Sequence, residues 1–301
     1  MRIAQSDTQR FLDPDTLRRL QHLTLTSRSR VEGSMTGAHR SPFKGLSTDF
    51  ADHRQYVKGD DLRHLDWRVY GRSERFYIKR YEETTNLKTY ILVDCSASMR
   101  YGSDGITKYS YACHLAAGLA YVVIKQADMA GMVLFGERIE DYFPPRSSLT
   151  HLRAMLDALA GLRPRGKTNT AAALHGMAEL IKRRGLIIII SDLMDEPEAV
   201  IKGLAHFRQK RHDVIVLHVL DDHELNFPFE KVATFRDMES GERVRVSPRD
   251  LRDDYAAELE AFINQYKRAC FESNIDYVTI NTRTPHDTFL SAYLTRREKV
   301  R

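Results

Sequence analysis

Five oxygen-bearing side chains, Asp94, Ser96, Ser98, Thr168 and Asp192, have the types and spacing that a hard divalent cation needs. Asp94-Cys95-Ser96-Ala97-Ser98-Met99 sets one carboxylate and two hydroxyls at alternate positions, so that they point the same way. Gly166-Lys167-Thr168-Asn169-Thr170 offers a further hydroxyl on a glycine-relaxed loop, and Ser191-Asp192 adds a second carboxylate. Mg²⁺ or Mn²⁺ takes oxygen ligands in near-octahedral geometry, from one or two carboxylates with hydroxyls and water completing the shell. Because most of these donors are neutral, a bound metal would keep much of its positive charge and accept a carboxylate at an open position. Ser and Asp are also common turn and N-cap residues. Capping alone does not explain three separate loops supplying matching donors.

The three loops each belong to the end of an expected element. Short apolar, β-branched runs at Thr89 to Val93, Gly131 to Phe135, Leu186 to Ile190, Val214 to Leu220 and Tyr277 to Ile280 read as strands. Helical spacing is expected over Thr107 to Gln126, Ser148 to Leu159, Thr170 to Arg183, Glu198 to Gln209, Pro248 to Glu272 and Asp287 to Arg297. Arg138 to Phe143 reads as an antiparallel edge strand. Leu186-Ile187-Ile188-Ile189-Ile190 is apolar on both faces, as a central strand between two helix layers requires. The fold class is therefore α/β with a mostly parallel sheet. In such sheets functional groups gather where strands end and the chain turns toward a helix, which is where Asp94 and Asp192 fall.

Residues 1–85 have a different texture and are expected to form an N-terminal polar arm, followed by a sheet domain over 86–301. A short helix around Asp15 to Leu23 is the clearest element of the arm. Arg54, Arg63, Arg68, Arg72 and Arg75 alternate with Asp52, Asp60, Asp61, Asp66 and Glu74, which points to internal ion pairs rather than a phosphate track. Trp67, the only tryptophan, is expected as a packing anchor between arm and sheet.

Asp94-x-Ser96-x-Ser98, a threonine on a second loop and an aspartate on a third resemble the metal-ion-dependent adhesion site of von Willebrand factor A domains. Phe50 to Tyr56, Lys58-Gly59-Asp60-Asp61, Asp66-Trp67, Ser191-Asp192-Leu193 and Asp237-x-Glu239-x-Gly241 extend the likeness. Together they resemble the bacterial family called domain of unknown function 58, from about Gly33 to Arg297. That resemblance implies a Rossmann-like von Willebrand A fold and a non-enzymatic, metal-dependent protein-interaction module. It further implies an adaptor or assembly factor working with a MoxR-type AAA+ ATPase or its client, the partner presenting an aspartate or glutamate. By the same resemblance Asp94, Ser96 and Ser98 would bind metal directly, Thr168 directly or through water, and Asp192 mainly through water or hydrogen bonds to the inner ligands.

Bulk properties and missing motifs weigh against other classes. With 42% hydrophobic residues in 301 there is ample material for one large core. No run approaches the roughly 20 apolar residues of a membrane span, and Met1 to Arg10 lacks the apolar core of a secretory signal, so a cytoplasmic location is expected. Cys95, Cys113 and Cys270 are far apart and read as small buried hydrophobes. A net charge of +5 permits contact with nucleic acid, but no reading motif accompanies it. A Mg²⁺-dependent enzyme acting on phosphate is the main rival. Against a haloacid dehalogenase-type phosphatase, the position of the second, proton-transferring aspartate is Ser96. Gly161 to Thr168 matches the phosphate-loop pattern GxxxxGKT, yet the stretch before it is helical and Pro164 interrupts it. His212, His218 and His223 show no zinc spacing and receive no role.

Overall fold

A computed structural model describes residues 8–27, 36–40, 50–58, 60, 65–81, 84–166 and 169–299. They fall into two compact units, one of residues 1–29 with 88–301, the other of residues 30–87. The arm expected over residues 1–85 therefore divides. Its first segment folds with the sheet, and the remainder closes at residue 87, two residues beyond the expected boundary.

In the smaller unit, strand β1 (Thr36–Arg40) pairs antiparallel with β4 (Thr84–Thr85), and β2 (Phe50–Gln55) with β3 (Tyr77–Tyr81). Helix α3 (Trp67–Ser73) starts at Asp66, whose carboxylate accepts from the amides of Arg68 at 2.9 Å and Val69 at 3.2 Å. The other oxygen of Asp66 lies 2.8 Å from His53 Nε2, and Arg54 pairs with Asp60 at 2.6 Å, in keeping with internal ion pairing. Within this unit Trp67 stands at the first position of α3, edge-on to Tyr70.

The larger unit is built on a six-stranded sheet. Its strands are β5 (Lys88–Asp94), β6 (Met129–Phe135), β7 (Ile139–Arg146), β8 (Leu186–Ser191), β9 (Asp213–Leu220) and β12 (Asp276–Asn281). Their order across the sheet is β12-β9-β8-β5-β6-β7, all parallel except the edge strand β7. Relative to chain order within this sheet, the strands run 3-2-1-4-5-6, the doubly wound arrangement. The α/β, Rossmann-like architecture expected from the sequence, a mostly parallel central sheet with helices on both faces, is what the chain adopts.

Alternation in β8 explains its all-apolar run. Ile187 and Ile189 join a core with Leu174, Met177, Leu204, Phe207 and Tyr266. These come from α6 (Thr170–Leu180), α7 (Pro197–Gln209) and α9 (Pro248–Glu272) on one face. The opposite face is covered by α4 (Lys108–Lys125), a helix buried nearly all round. Its outer side meets α1 (Thr8–Phe11), α2 (Pro14–Leu20), α5 (Leu149–Gly161) and α10 (His286–Lys299). The approach to α10 and α2 needs Gly118, since a Cβ there would sit 2.7 Å from Leu290 Cδ1.

Chain ends are fastened to this unit through Arg297. Its guanidinium pairs with Asp213 and Asp276, each at 2.6 Å, and donates to the Thr26 carbonyl at 2.9 Å. All three cysteines are free and buried, as expected. Among the described residues no helix is long and apolar enough to cross a membrane. Beyond the sheet, α8 (Asp222–Asn226) follows β9, and β10 (Ala233–Arg236) pairs antiparallel with β11 (Arg243–Val246).

Candidate metal centre

Asp94 ends β5 between its neighbours β6 and β8, at the carboxyl edge of the sheet. It is fully buried. Its Oδ1 accepts from the Ser96 amide at 2.9 Å and its Oδ2 from the Ser191 hydroxyl at 2.6 Å. Ser96 Oγ and Ser98 Oγ lie 3.0 Å apart. Ser96 precedes a short 3-10 turn, Ala97–Arg100, yet its side chain makes no capping hydrogen bond. The cap explanation for that serine therefore fails, and its hydroxyl is turned toward Ser98.

The second carboxylate arrives through strand pairing. Val93 pairs with Ile190, so Ser191 and Asp192 follow at the end of β8 beside Asp94. Leu193 then takes a left-handed backbone, φ 52°, and its amide donates to Ser191 Oγ at 2.9 Å, closing a tight turn. Burial, with the Asp192 carboxylate nearby, pushes Asp94 up to about 7. Burial pushes Asp192 upward too, but the Lys108 ammonium and the Ser98 hydroxyl outweigh it and hold Asp192 below its usual range.

Lys108 was not a sequence candidate. It stands at the first position of α4, is 1% exposed, and its Nζ lies 2.7 Å from Asp192 Oδ2 and 2.6 Å from Glu224 Oε1. Burial works against its charge, and the two carboxylates more than restore it. Glu224 in turn accepts from the Asp221 amide at 2.8 Å, completing a reciprocal cap at the start of α8. That Asp221-x-x-Glu224 signature was readable in sequence. A lysine opening an apolar helix carries no such signal.

His218 also belongs to the surroundings of the site. Its Nε2 lies 2.9 Å from the Asp192 carbonyl and its Nδ1 2.5 Å from the Tyr277 hydroxyl. Burial lowers it to about 4, so the ring is neutral.

The third loop is placed as far as Gly166. Ala97 N donates to the Gly166 carbonyl at 3.2 Å, and Arg165 N to the Cys95 carbonyl at 3.0 Å. Gly166 adopts φ 80°, which its residue type permits. Thr168 itself, with Lys167, lies outside the described residues. Gly161 closes α5, so the phosphate-loop pattern of residues 161–168 follows a helix rather than a buried strand.

Four of the five candidates are thus described, and Asp94, Ser96, Ser98 and Asp192 converge. Among the described residues no basic side chain pairs with Asp94, whereas Asp192 is neutralised by Lys108. No three His, Cys, Asp or Glu side chains group among them to hold a metal unaided, so a cation at Asp94 would depend on hydroxyl oxygens. The donor set, one unpaired buried carboxylate beside two hydroxyls, fits a hard cation.

Over 249 residues the chain is 28% identical to an uncharacterized protein of Mycobacterium tuberculosis, covering 81% of this chain and 78% of that one. Among solved structures it is similar to BatB of Bacteroides thetaiotaomicron, with a TM-score of 0.49 and 16% identity over 71% of this chain and 100% of that chain. It is also similar to the Rpn10 von Willebrand A domain, with a TM-score of 0.39 and 14% identity over 71% and 95% of the two chains. A family model described as protein of unknown function DUF58 matches residues 52–262, a span holding all the described candidate ligands. The chain accordingly belongs to the DUF58 family.

Proposed function

We propose that this protein is a non-enzymatic, divalent-metal-dependent interaction module that works in the cytoplasm with a MoxR-type AAA+ ATPase or its client. Asp94, Ser96 and Ser98 hold Mg²⁺ or Mn²⁺ directly, Thr168 contributes a further hydroxyl, and Asp192 acts from outside the inner shell. The observation that carries this reading is the fully buried Asp94 carboxylate with no basic partner, beside two serine hydroxyls 3.0 Å apart. A buried carboxylate is costly unless a cation compensates it. Asp192 has its cation in Lys108, which supports its indirect role.

A divalent ion bound mainly by neutral oxygens keeps the positive charge to accept a partner's aspartate or glutamate oxygen. The protein's part is to hold those oxygens in place: Ser191 orients Asp94, and Lys108 fixes Asp192.

Isothermal titration of Mg²⁺ and Mn²⁺ into chelator-treated protein tests this, with Asp94→Ala alongside and with ATP and a phosphoester supplied separately. Saturable binding that Asp94→Ala abolishes, without turnover, is expected, together with chelator-sensitive association with a MoxR-type ATPase. Mg²⁺-dependent hydrolysis of ATP or the phosphoester that Asp94→Ala abolishes would overturn the reading in favour of a phosphate-processing enzyme. Nucleic-acid affinity that falls steeply with salt and ignores chelator would point to the basic surface instead.

A further inference from the structure

Away from the carboxyl edge of the sheet, α6 and α7 bring together two histidines and a glutamate that the metal reading does not use. The helices pack side by side and approach closely at Gly203, where a Cβ would stand 3.0 Å from Leu174 Cβ. Beside that contact His175 and His206 face each other. Their Nδ1 atoms lie 3.2 Å apart and their ring centroids 5.4 Å, with the planes at 46°. The other nitrogen of His206, Nε2, lies 3.0 Å from Glu179 Oε1, and Glu179 stands about one turn beyond His175 on α6. Lys210 Nζ reaches the same oxygen at 2.8 Å and also donates to the Ala178 carbonyl. His175 and Glu179 are exposed and His206 is half-buried, so the cluster is open to small solutes.

These distances are those of two imidazoles sharing one ion. Nitrogens held at about 2.0–2.1 Å by a tetrahedral zinc stand about 3.3 Å from each other, with the ring centres about 5 Å apart. The tautomer fits as well. A carboxylate accepts, so Nε2 of His206 carries the proton and Nδ1 turns a lone pair toward His175. Metal-bound imidazoles are held in this way, the far N–H donating to a carboxylate that orients the ring and raises its basicity. His175 supplies the second lone pair when its proton sits on the solvent-facing Nε2. Glu179 offsets the charge of Lys210. We propose that His175 and His206 bind Zn²⁺ through their Nδ1 atoms, with Glu179 as a positioning residue and water in the two remaining positions. Two protein ligands agree with the lack of any three-ligand group of His, Cys, Asp or Glu among the described residues. The site differs in chemistry from the Asp94 centre, because imidazole suits zinc whereas carboxylate and hydroxyl oxygens suit Mg²⁺. It ties α6, which opens just after the loop of Thr168, to α7, which follows the Asp192 turn. Zinc would thus stabilise the helix pair leading away from both loops, whether or not Asp94 binds a cation.

Calorimetric titration of Zn²⁺ into the chelator-treated full chain, in buffer with excess Mg²⁺, tests the site. One-to-one binding is expected, retained in Asp94→Ala and lost in both His175→Ala and His206→Ala, with circular dichroism checking each fold. His175 is exposed, so its replacement by a good helix former keeps the test decisive if His206→Ala misfolds. Glu179→Gln should keep the stoichiometry and weaken binding about tenfold, the effect of losing the carboxylate behind a ligating histidine. At a hundredfold excess over Kd, Zn²⁺ should raise the melting temperature of the wild type by about 4 °C and leave that of His175→Ala unchanged. Absence of saturable Zn²⁺ binding, or binding that His175→Ala leaves in place, would overturn the proposal and reduce the contact to a hydrogen bond between two rings. Binding that disappears in Asp94→Ala would also overturn it, by placing the ion at the other centre.

Discussion

Replacing Asp94 by Asn should stabilise the metal-free protein at alkaline pH while abolishing its response to Mg²⁺. Burial and Asp192 raise the Asp94 carboxyl from 3.8 to about 7. Because the folded-state value lies above the unfolded one, wild-type stability falls as pH rises from about 4 to about 7, where the unfolded chain has already released its proton. At about 1.4 kcal/mol per factor of ten, the climb corresponds to at most about 4 kcal/mol at pH 8. Asn keeps an acceptor for the Ser96 amide but alters the contact with Ser191, at a cost of about 1 kcal/mol. The balance, about 1–3 kcal/mol, should raise the melting temperature by about 5 °C in EDTA at pH 8. Near pH 5 the difference should shrink toward zero. His218, lowered to about 4, has the opposite pH dependence, but it is common to both proteins and drops out of the comparison. Scanning calorimetry at both pH values, with and without Mg²⁺, provides the assay. A melting temperature at or below wild type at pH 8 in EDTA, or an equal upward shift of both proteins by Mg²⁺, would refute the reasoning.

Lys108→Met removes the shared cation from Asp192 and Glu224 and should cost about 3–5 kcal/mol in urea unfolding without metal; an unchanged midpoint would show that the pair is not desolvated. Arg297→Met removes the guanidinium that Asp213 and Asp276 share and the donor to the Thr26 carbonyl, so a loss of about 1–3 kcal/mol is expected in the same assay. The same variant should open residues 23–27 to limited proteolysis, and a protease pattern like wild type would contradict that linkage. The His218 imidazole should stay neutral down to about pH 4, and its contribution to stability, present above 6.5, should fade as pH drops toward 4. A resonance titrating near 6.5 in the folded protein would count against its burial.

Much of the sheet unit was legible because period and burial agree. Leu186 to Ile190 could only be a central strand, and Pro248 to Glu272 is a helix with the expected bounds. The helix expected to Arg183 ends at Leu180 instead, where Ile181 turns extended and Lys210 Nζ takes the Ala178 carbonyl at 2.9 Å, a tertiary contact that local spacing does not encode. The β10 and β11 hairpin is exposed and short; its turn signal, Asp237 accepting from the amides of Glu239 and Ser240, lies in residues that the sequence marks only as part of a family motif. Four candidate ligands were found because strand ends and alternation locate oxygens. Lys108 and His218 were missed because nothing local distinguishes a lysine or histidine that long-range packing will bury.

Arg297 also sets a timetable for synthesis. The hydrogen bond it donates to Thr26 spans 271 residues. A ribosome adding about 5–20 residues per second needs roughly 15–50 s to join those two points. Until then the segment that covers α4 lacks its clasp, and Leu20 and Leu25, both fully buried in the finished protein, have no completed surface to meet. While those residues are being added the nascent chain carries this apolar segment without its clasp, the interval in which a holding chaperone would affect its yield most.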